Sequence, residues 1–153
     1  MNHQIKLMSS YLERKLEATP SPSYQMSLMM STLLLNRKIG PEAMGYFADH
    51  PMPLWFETLS HQTRDLYIFP IVQTIVKKGI LAGEFDQACD DLTVELIYRG
   101  ITQMVHTNYT KLEDLAYLRR TINSIEYILN MTLGTTTNPI KISEVTYEKT
   151  SEN

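Results

Sequence analysis

The sequence predicts an all-α fold, and three observations lead to that prediction. Apolar residues recur at intervals of three and four along most of the chain, which is the pattern of one helix face. Gly, Pro and small polar residues separate these segments, at the places where helices typically begin and end. Before residue 135, no segment alternates apolar and polar residues as a half-buried strand does. We therefore expect one domain built as a bundle of about six helices.

The composition fits a single globular domain. Of the 153 residues, 43% are hydrophobic and 20% are charged, which is enough apolar material for a core. A net charge of -3 argues against direct binding to nucleic acid, because phosphate binding needs clustered Lys and Arg. The sequence shows no signal peptide and no apolar run long enough to span a membrane. The single cysteine, Cys89, fits a reducing compartment, so we expect a cytoplasmic protein without membrane partners.

Most predicted helices begin at a recognisable signal. Ser21 is the expected N-cap of the second helix, with Pro22 in its first turn. Asp90 or Asp91 is the expected N-cap of the fifth helix, and Thr110 opens a capping box for the sixth. The predicted ranges are about 3–18, 22–37, 41–48, 54–82, 91–106 and 111–133.

Three residues shape the longest predicted helix. Pro70 lacks a backbone N–H and should kink the helix near Tyr67. Gly83 should end it as a C-cap, because glycine adopts the left-handed conformation without a Cβ penalty.

The C-terminal residues differ from the rest of the chain. Gly134 should terminate the last helix, and the residues that follow are polar and rich in Thr. We predict a helical domain over 1–134 and a loosely ordered tail over 135–153, in which a short strand is a weaker alternative.

The corner after the longest helix carries a family resemblance. Residues 75–86 read IVKKGILAGEFD, and residues 90–101 read DDLTVELIYRGI. Both segments resemble the C-terminal domain of TetR-family transcriptional regulators, and the order of helices is similar over about residues 1–134. The resemblance implies a domain that binds a small effector and dimerises, with the last two helices of each subunit forming a four-helix bundle across a twofold axis.

The resemblance also bears on DNA binding. The family's N-terminal helix-turn-helix head has no counterpart in this chain, whose first helix would match the lower part of the helix that follows such a head. Any contact with DNA is therefore expected only through a head domain that is not in this chain. The open alternative is a stand-alone helical protein that binds a small molecule and no DNA.

Carried onto this sequence, the resemblance places a dimer interface on the last two helices. The last helix has apolar residues at near-heptad spacing, which is typical of a helix that packs on a partner helix. Gly100 would allow close approach of two helices, although a tolerated surface glycine is the alternative. The candidate interface residues are Leu92, Leu96, Gly100, Met104, Leu115, Leu118, Ile122 and Ile125.

A group of Met and aromatic residues in the first half of the chain suggests a pocket for a small apolar or amphipathic effector. Methionine is flexible and polarisable, so Met-rich cavities adapt to different apolar ligands, and aromatic rings supply flat walls. The same residues are also compatible with an ordinary helical core. The candidates are Met8, Tyr11, Met26, Met29, Met30, Met44, Phe47, Trp55 and Phe56.

Three polar residues on the longest predicted helix are candidates for holding the polar end of a ligand. His61, Arg64 and Tyr67 follow one another at intervals of three and so lie along one flank, where Arg64 would suit a carboxylate. The alternative is that these residues are solvated at the edge of the core.

Other chemistry finds little support in the sequence. The four histidines lie on separate segments without metal-ligand spacing, and no phosphate loop or nucleophile elbow is present. Cys89 has no neighbouring feature that would lower its pKa, so a structural turn cysteine is favoured over a redox sensor. We expect no metal, no cofactor and no enzymatic activity; an enzyme with an unrecognised site is the remaining alternative.

Overall fold

The computed structural model describes residues 2–19, 21–35, 62, 65–108, 110–135 and 138–142. Within these ranges every regular element is helical, so the predicted all-α class is confirmed for them. The α-helices are α1 (Asn2–Glu17), α2 (Pro22–Leu35), α3 (Phe69–Leu81), α4 (Asp91–Thr107) and α5 (Leu115–Leu133). The predicted helix over 41–48 and the first residues of the one predicted over 54–82 lie outside the described residues.

Helix α2 lies at the centre of the bundle. Apart from Tyr24, which is exposed, its described side chains are buried or partly buried, as expected for a helix with apolar residues around most of its circumference. Two of its buried hydroxyl groups bond back to the preceding turn: Ser27 Oγ donates to the Ser23 carbonyl at 2.9 Å, and Thr32 Oγ1 donates to the Leu28 carbonyl at 2.8 Å. These bonds satisfy polar atoms that burial would otherwise penalise.

The predicted break near Pro70 is confirmed, but it separates the helix more completely than a kink. Residues 65–67 are helical, a turn follows at Ile68, and α3 begins at Phe69. The Ile68 carbonyl accepts bonds from Ile71 N at 3.1 Å and Val72 N at 3.2 Å, so it becomes the start of a new helix. Pro70 lies exposed in the first turn of α3. Because the N–H groups of a first turn have no acceptor within the helix, a proline there costs no helical hydrogen bond.

Two glycines build the corner that follows α3. Gly83 has φ +74, which confirms the predicted left-handed residue; the cap itself is Ala82, one residue earlier. A Cβ atom on Gly79 would overlap the ring of Phe85, which is buried. The Gly79 carbonyl also accepts bonds from Glu84 N at 2.9 Å and Phe85 N at 3.1 Å, so the chain folds back directly over the end of the helix.

The caps of α4 and α5 show one prediction confirmed and one wrong. Asp90 caps α4 by accepting a bond from Thr93 N at 2.8 Å. Thr110 makes no side-chain cap bond; Asp114 caps α5 instead, accepting from Ala116 N at 2.8 Å and Tyr117 N at 3.2 Å. The last helix therefore starts at Leu115, after a 3₁₀ turn over Lys111–Glu113.

That 3₁₀ turn has a physical reason. Leu112 is fully buried, and the turn directs its side chain into the core before the chain enters α5.

Residues 138–142, which we placed in a loosely ordered tail, pack against the helices. Ile140 and Ile142 are fully buried, and Lys141 N donates to Ser27 Oγ at 3.0 Å. Asn130 binds both polar groups of the Ile140 backbone, accepting from its N–H at 2.7 Å and donating to its carbonyl at 3.0 Å. Residues 143–153 of the predicted tail lie outside the described residues.

Candidate ligand cavity

An apolar cavity lies where four helices converge. Its interior is small and holds about one water molecule in the present side-chain arrangement. The wall exposes almost no polar surface. Among the described residues, the wall is formed by Met26 and Met30 of α2, Val72 and Val76 of α3, Cys89 in the turn before α4, Val94, Ile97 and Tyr98 of α4, and Leu129 and Leu133 of α5.

Two of the predicted ligand-binding residues, Met26 and Met30, lie in this wall. They are four residues apart on α2, so both side chains face the same side of the helix. Met29 is fully buried in the core and Tyr67 is partly buried, but neither is part of the wall. The other candidates have side chains outside the described residues: Met8, Tyr11, Met44, Phe47, Trp55, Phe56, His61 and Arg64.

The aliphatic wall residues of α3, α4 and α5 were not predicted as ligand-binding residues. Val72 and Val76 are four residues apart, as are Val94 and Tyr98 and also Leu129 and Leu133, and this spacing places each pair on one helix face. The same spacing is the signature of ordinary core residues, so the sequence contains no signal that separates a cavity wall from a packed interior.

Cys89 lies in the wall and is partly exposed. Its N–H donates to the Asp86 carbonyl at 3.2 Å, which holds it in the turn before α4. Burial raises the pKa of the Cys89 thiol, and the nearby carboxylates of Asp90, Asp86 and Asp91 raise it further. The thiol is therefore neutral at physiological pH, as expected for a structural turn cysteine.

The predicted dimer residues divide into exposed and buried groups. Leu92, Leu96, Gly100 and Leu115 are exposed, with 65% of the Leu96 side chain accessible. Ile122 and Ile125 are buried in the core of their own chain, because the apolar stripe of α5 that contains them packs inward.

The remaining predicted dimer residues, Met104 and Leu118, are partly buried. Three further large apolar residues of α5 are exposed and were not among the candidates: Tyr127, Ile128 and Met131. A Cβ atom added at Gly100 would have no neighbour within 4 Å, so nothing inside the described part of the chain requires a glycine there.

The ion pairs among the described residues involve no side chain of the cavity wall. Arg99 bridges Asp65 and Glu95 on the surface of α4, with N–O distances of 2.5 and 2.8 Å. In the ranges the structure covers, no three His, Cys, Asp or Glu side chains form a group that could hold a metal ion. None of the described helices combines the length and the apolar content that a membrane span requires.

Comparison with known proteins gives no relative. No protein-family model, curated protein sequence or solved structure matches the chain.

Proposed function

We propose that this chain is a ligand-sensing and dimerising helical domain of the TetR-like type. It would bind a small apolar effector between its helices and pair with a second copy through α4 and α5. DNA binding would then belong to a separate head domain, which the effector would control. The observation that carries the proposal is the apolar cavity at the meeting point of α2, α3, α4 and α5.

The cavity has the properties of an adaptable binding site. Met26 and Met30 each have three rotatable bonds, so their side chains can move aside and enlarge the space without a change in the backbone. Tyr98 adds a flat ring, which is held against Phe69 with a centroid distance of 4.9 Å. A site that combines mobile and rigid apolar walls suits a ligand recognised by shape and hydrophobicity.

The exposed apolar residues of α4 and α5 support the pairing of two copies. Leu92 and Leu96 on α4 and Tyr127, Ile128 and Met131 on α5 would leave water upon pairing. Burying apolar area contributes about 25 cal/mol per Å², which makes such residues the main source of affinity in a helical interface.

The two functions meet on the same helices, which suggests how a signal would pass. Val94 and Ile97 of α4 face the cavity, whereas Leu96 is exposed. On α5, Leu129 and Leu133 face the cavity, whereas Met131 points outward. A ligand that separates the cavity walls would shift these helices. It would change the equilibrium between the two helix arrangements only by as much as its affinity for them differs.

The ligand-binding part is tested with N-phenyl-1-naphthylamine, a neutral probe whose fluorescence rises in apolar surroundings. Wild-type protein should bind it saturably. Val94→Phe should fill part of the cavity and weaken binding by about tenfold, since a fraction of the apolar contact is lost. Val94→Ala is the matched control: it also perturbs the core but enlarges the cavity, so binding should persist. Absence of saturable binding to wild-type protein would contradict the proposal.

The dimer part is tested by light scattering after size-exclusion chromatography. Wild-type protein should have twice the chain mass, and Leu96→Glu should shift it to the monomer, because a charge would be buried in the interface. Leu81→Glu is the control, since Leu81 is 88% exposed but lies at the end of α3. A monomeric wild type that still binds the probe would favour the stand-alone binding protein instead.

A further inference from the structure

Residues 138–142 form a strap that runs along α2. Asn138 Nδ2 donates to Ser21 Oγ at 2.8 Å, at the start of the helix, and Lys141 N donates to Ser27 Oγ at 3.0 Å. At about 1.5 Å of rise per residue, the six residues from Ser21 to Ser27 cover about 9 Å of the helix axis. Three residues of extended chain cover about 10 Å, so the strap follows α2 in a nearly extended form.

The strap is also bonded to α5. The side chain of Asn130 accepts from Ile140 N at 2.7 Å and donates to the Ile140 carbonyl at 3.0 Å. Ile140 and Ile142 are buried, while Lys141 between them is exposed, as expected for an extended segment with one face against the helices. The strap therefore joins α2 to α5 through polar bonds and two apolar side chains.

These four bonds share one feature: on the helix side, each of them uses a side chain. The groups belong to Ser21, Ser27 and Asn130, whereas the backbone groups of a helix interior bond within the helix. Release of the strap would therefore break none of the backbone bonds of α2 or α5. A segment attached in this way can open at a lower free energy than the whole domain.

The residues that hold the strap are next to the cavity wall. Ser27 follows Met26 on α2, and Asn130 follows Leu129 on α5. Met26 and Leu129 both line the cavity. The strap and the cavity thus involve the same turns of the same two helices, so a change in the spacing of these helices would affect both.

We propose that residues 138–142 are a releasable clamp. When the strap is docked, it fixes the distance between α2 and α5; when it is released, the two helices can move relative to each other while the bundle stays folded. Both states are conformations of the chain itself, so the device does not depend on what occupies the cavity. Any molecule that prefers one state would shift the equilibrium by its difference in affinity for the two.

Amide hydrogen exchange followed by NMR tests the release. The amides of Ile140 and Lys141 are bonded to helix side chains, so they exchange when the strap opens. Their protection factors should be at least about tenfold lower than those of Ile125 and Leu129, which are buried in α5. Low urea concentrations should accelerate exchange in α5 but hardly in the strap, because release exposes little surface. Equal protection factors with equal urea dependence would overturn the proposal, since the strap would then open only when the bundle unfolds.

Two variants weaken the strap at different points. Asn130→Asp places a carboxylate oxygen against the Ile140 carbonyl, so the protection of the Ile140 amide should fall at least about tenfold. Ser27→Ala removes the acceptor of the Lys141 N–H without adding bulk or charge, and should lower the protection of that amide about fivefold. Asn123→Asp is the matched control: it makes the same change at an exposed position of α5 and should leave both amides unaffected.

The clamp itself is tested with the methyl groups of Met26 and Met30, labelled with ¹³C and assigned with Met→Leu variants. Both residues line the cavity on α2, so their signals should shift in Asn130→Asp, which alters α5, but not in the control. If the strap amides lose protection while both methyl signals stay unchanged, the strap opens without moving α2 and the clamp is overturned. If the amide of Ile125 loses as much protection as the strap amides, strap and helix open together, and the proposal is again wrong.

Discussion

The carboxylate of Glu84 binds the first turn of α2, accepting a bond from Ser23 N at 3.0 Å and one from Ser21 Oγ at 3.2 Å. The two segments are more than sixty residues apart in sequence. The first N–H groups of a helix have no acceptor within the helix, so an acidic side chain is well placed there. Ser21 itself caps α2 only weakly, because its Oγ accepts from Tyr24 N at 3.4 Å. The corner after α3 therefore supplies the stronger cap of α2.

We predict that Glu84→Ala lowers the free energy of unfolding by about 1–2 kcal/mol, because it removes the acceptor for two donors at the start of α2. Glu84→Gln should cost less, since its amide oxygen still accepts a bond. Urea unfolding followed by circular dichroism measures the change. Glu13→Ala, at an exposed position of α1, is the control and should change stability by no more than about 0.5 kcal/mol. Equal effects of Glu84→Ala and Glu13→Ala would contradict this role.

The second prediction concerns the close approach of Gly79 and Phe85. Gly79→Ala should destabilise the protein by about 1–3 kcal/mol, because the new methyl group would occupy the space of the Phe85 ring. Gly100→Ala is the matched control: nothing lies within 4 Å of its new Cβ, so the better helix propensity of Ala should stabilise α4 by about 0.5–1 kcal/mol.

A double variant tests whether the two residues act together. Phe85→Leu should recover part of the loss in the Gly79→Ala background, since a smaller side chain leaves room for the methyl group. Thermal and urea unfolding of the four proteins in the cycle give the coupling energy. Additive effects of the two substitutions would show that the overlap is not the cause.

The third prediction is a pH dependence at the start of α4. The bond from Thr93 N lowers the pKa of Asp90 below its ordinary value. A carboxyl group with a lower pKa in the folded state stabilises the fold above its unfolded pKa, about 3.9, and loses that contribution as the pH falls through the folded value. Stability should therefore decrease more steeply below about pH 4 in wild-type protein than in Asp90→Asn, which keeps a cap but cannot titrate. Identical profiles from pH 7 to pH 2 would contradict this assignment.

Local features of the structure could be read from the sequence because they depend on neighbouring residues. Pro22 in a first turn, the break before Pro70, the Asp90 cap and the left-handed Gly83 and Gly134 all follow from the backbone preferences of a few consecutive residues. Thr110 shows the limit of this approach. Its capping box has the right spacing, but burial of Leu112 decides where the helix starts.

The candidate site depends on contacts between distant segments, which a periodic pattern does not encode. The α5 stripe predicts an apolar face, but not whether that face meets its own chain, as Ile125 does, or solvent, as Met131 does. Similarly, the spacing of Val72 and Val76 is the same for a packed core and for a cavity wall. The sequence therefore predicted the described helices and two wall residues, Met26 and Met30, but not the cavity as a whole.

The final prediction concerns residues 138–142, whose packing the polar sequence around them did not reveal. Ile140 is 1% exposed, and its backbone is held by both polar atoms of the Asn130 side chain. Ile140→Ala should lower the free energy of unfolding by about 2–4 kcal/mol, the range for removing a buried aliphatic side chain. Leu81→Ala removes a similar aliphatic side chain at a position that is 88% exposed and lies outside the proposed dimer surface, so its effect should be below about 1 kcal/mol. Urea unfolding of both variants gives the comparison, and equal losses would show that Ile140 does not belong to the core.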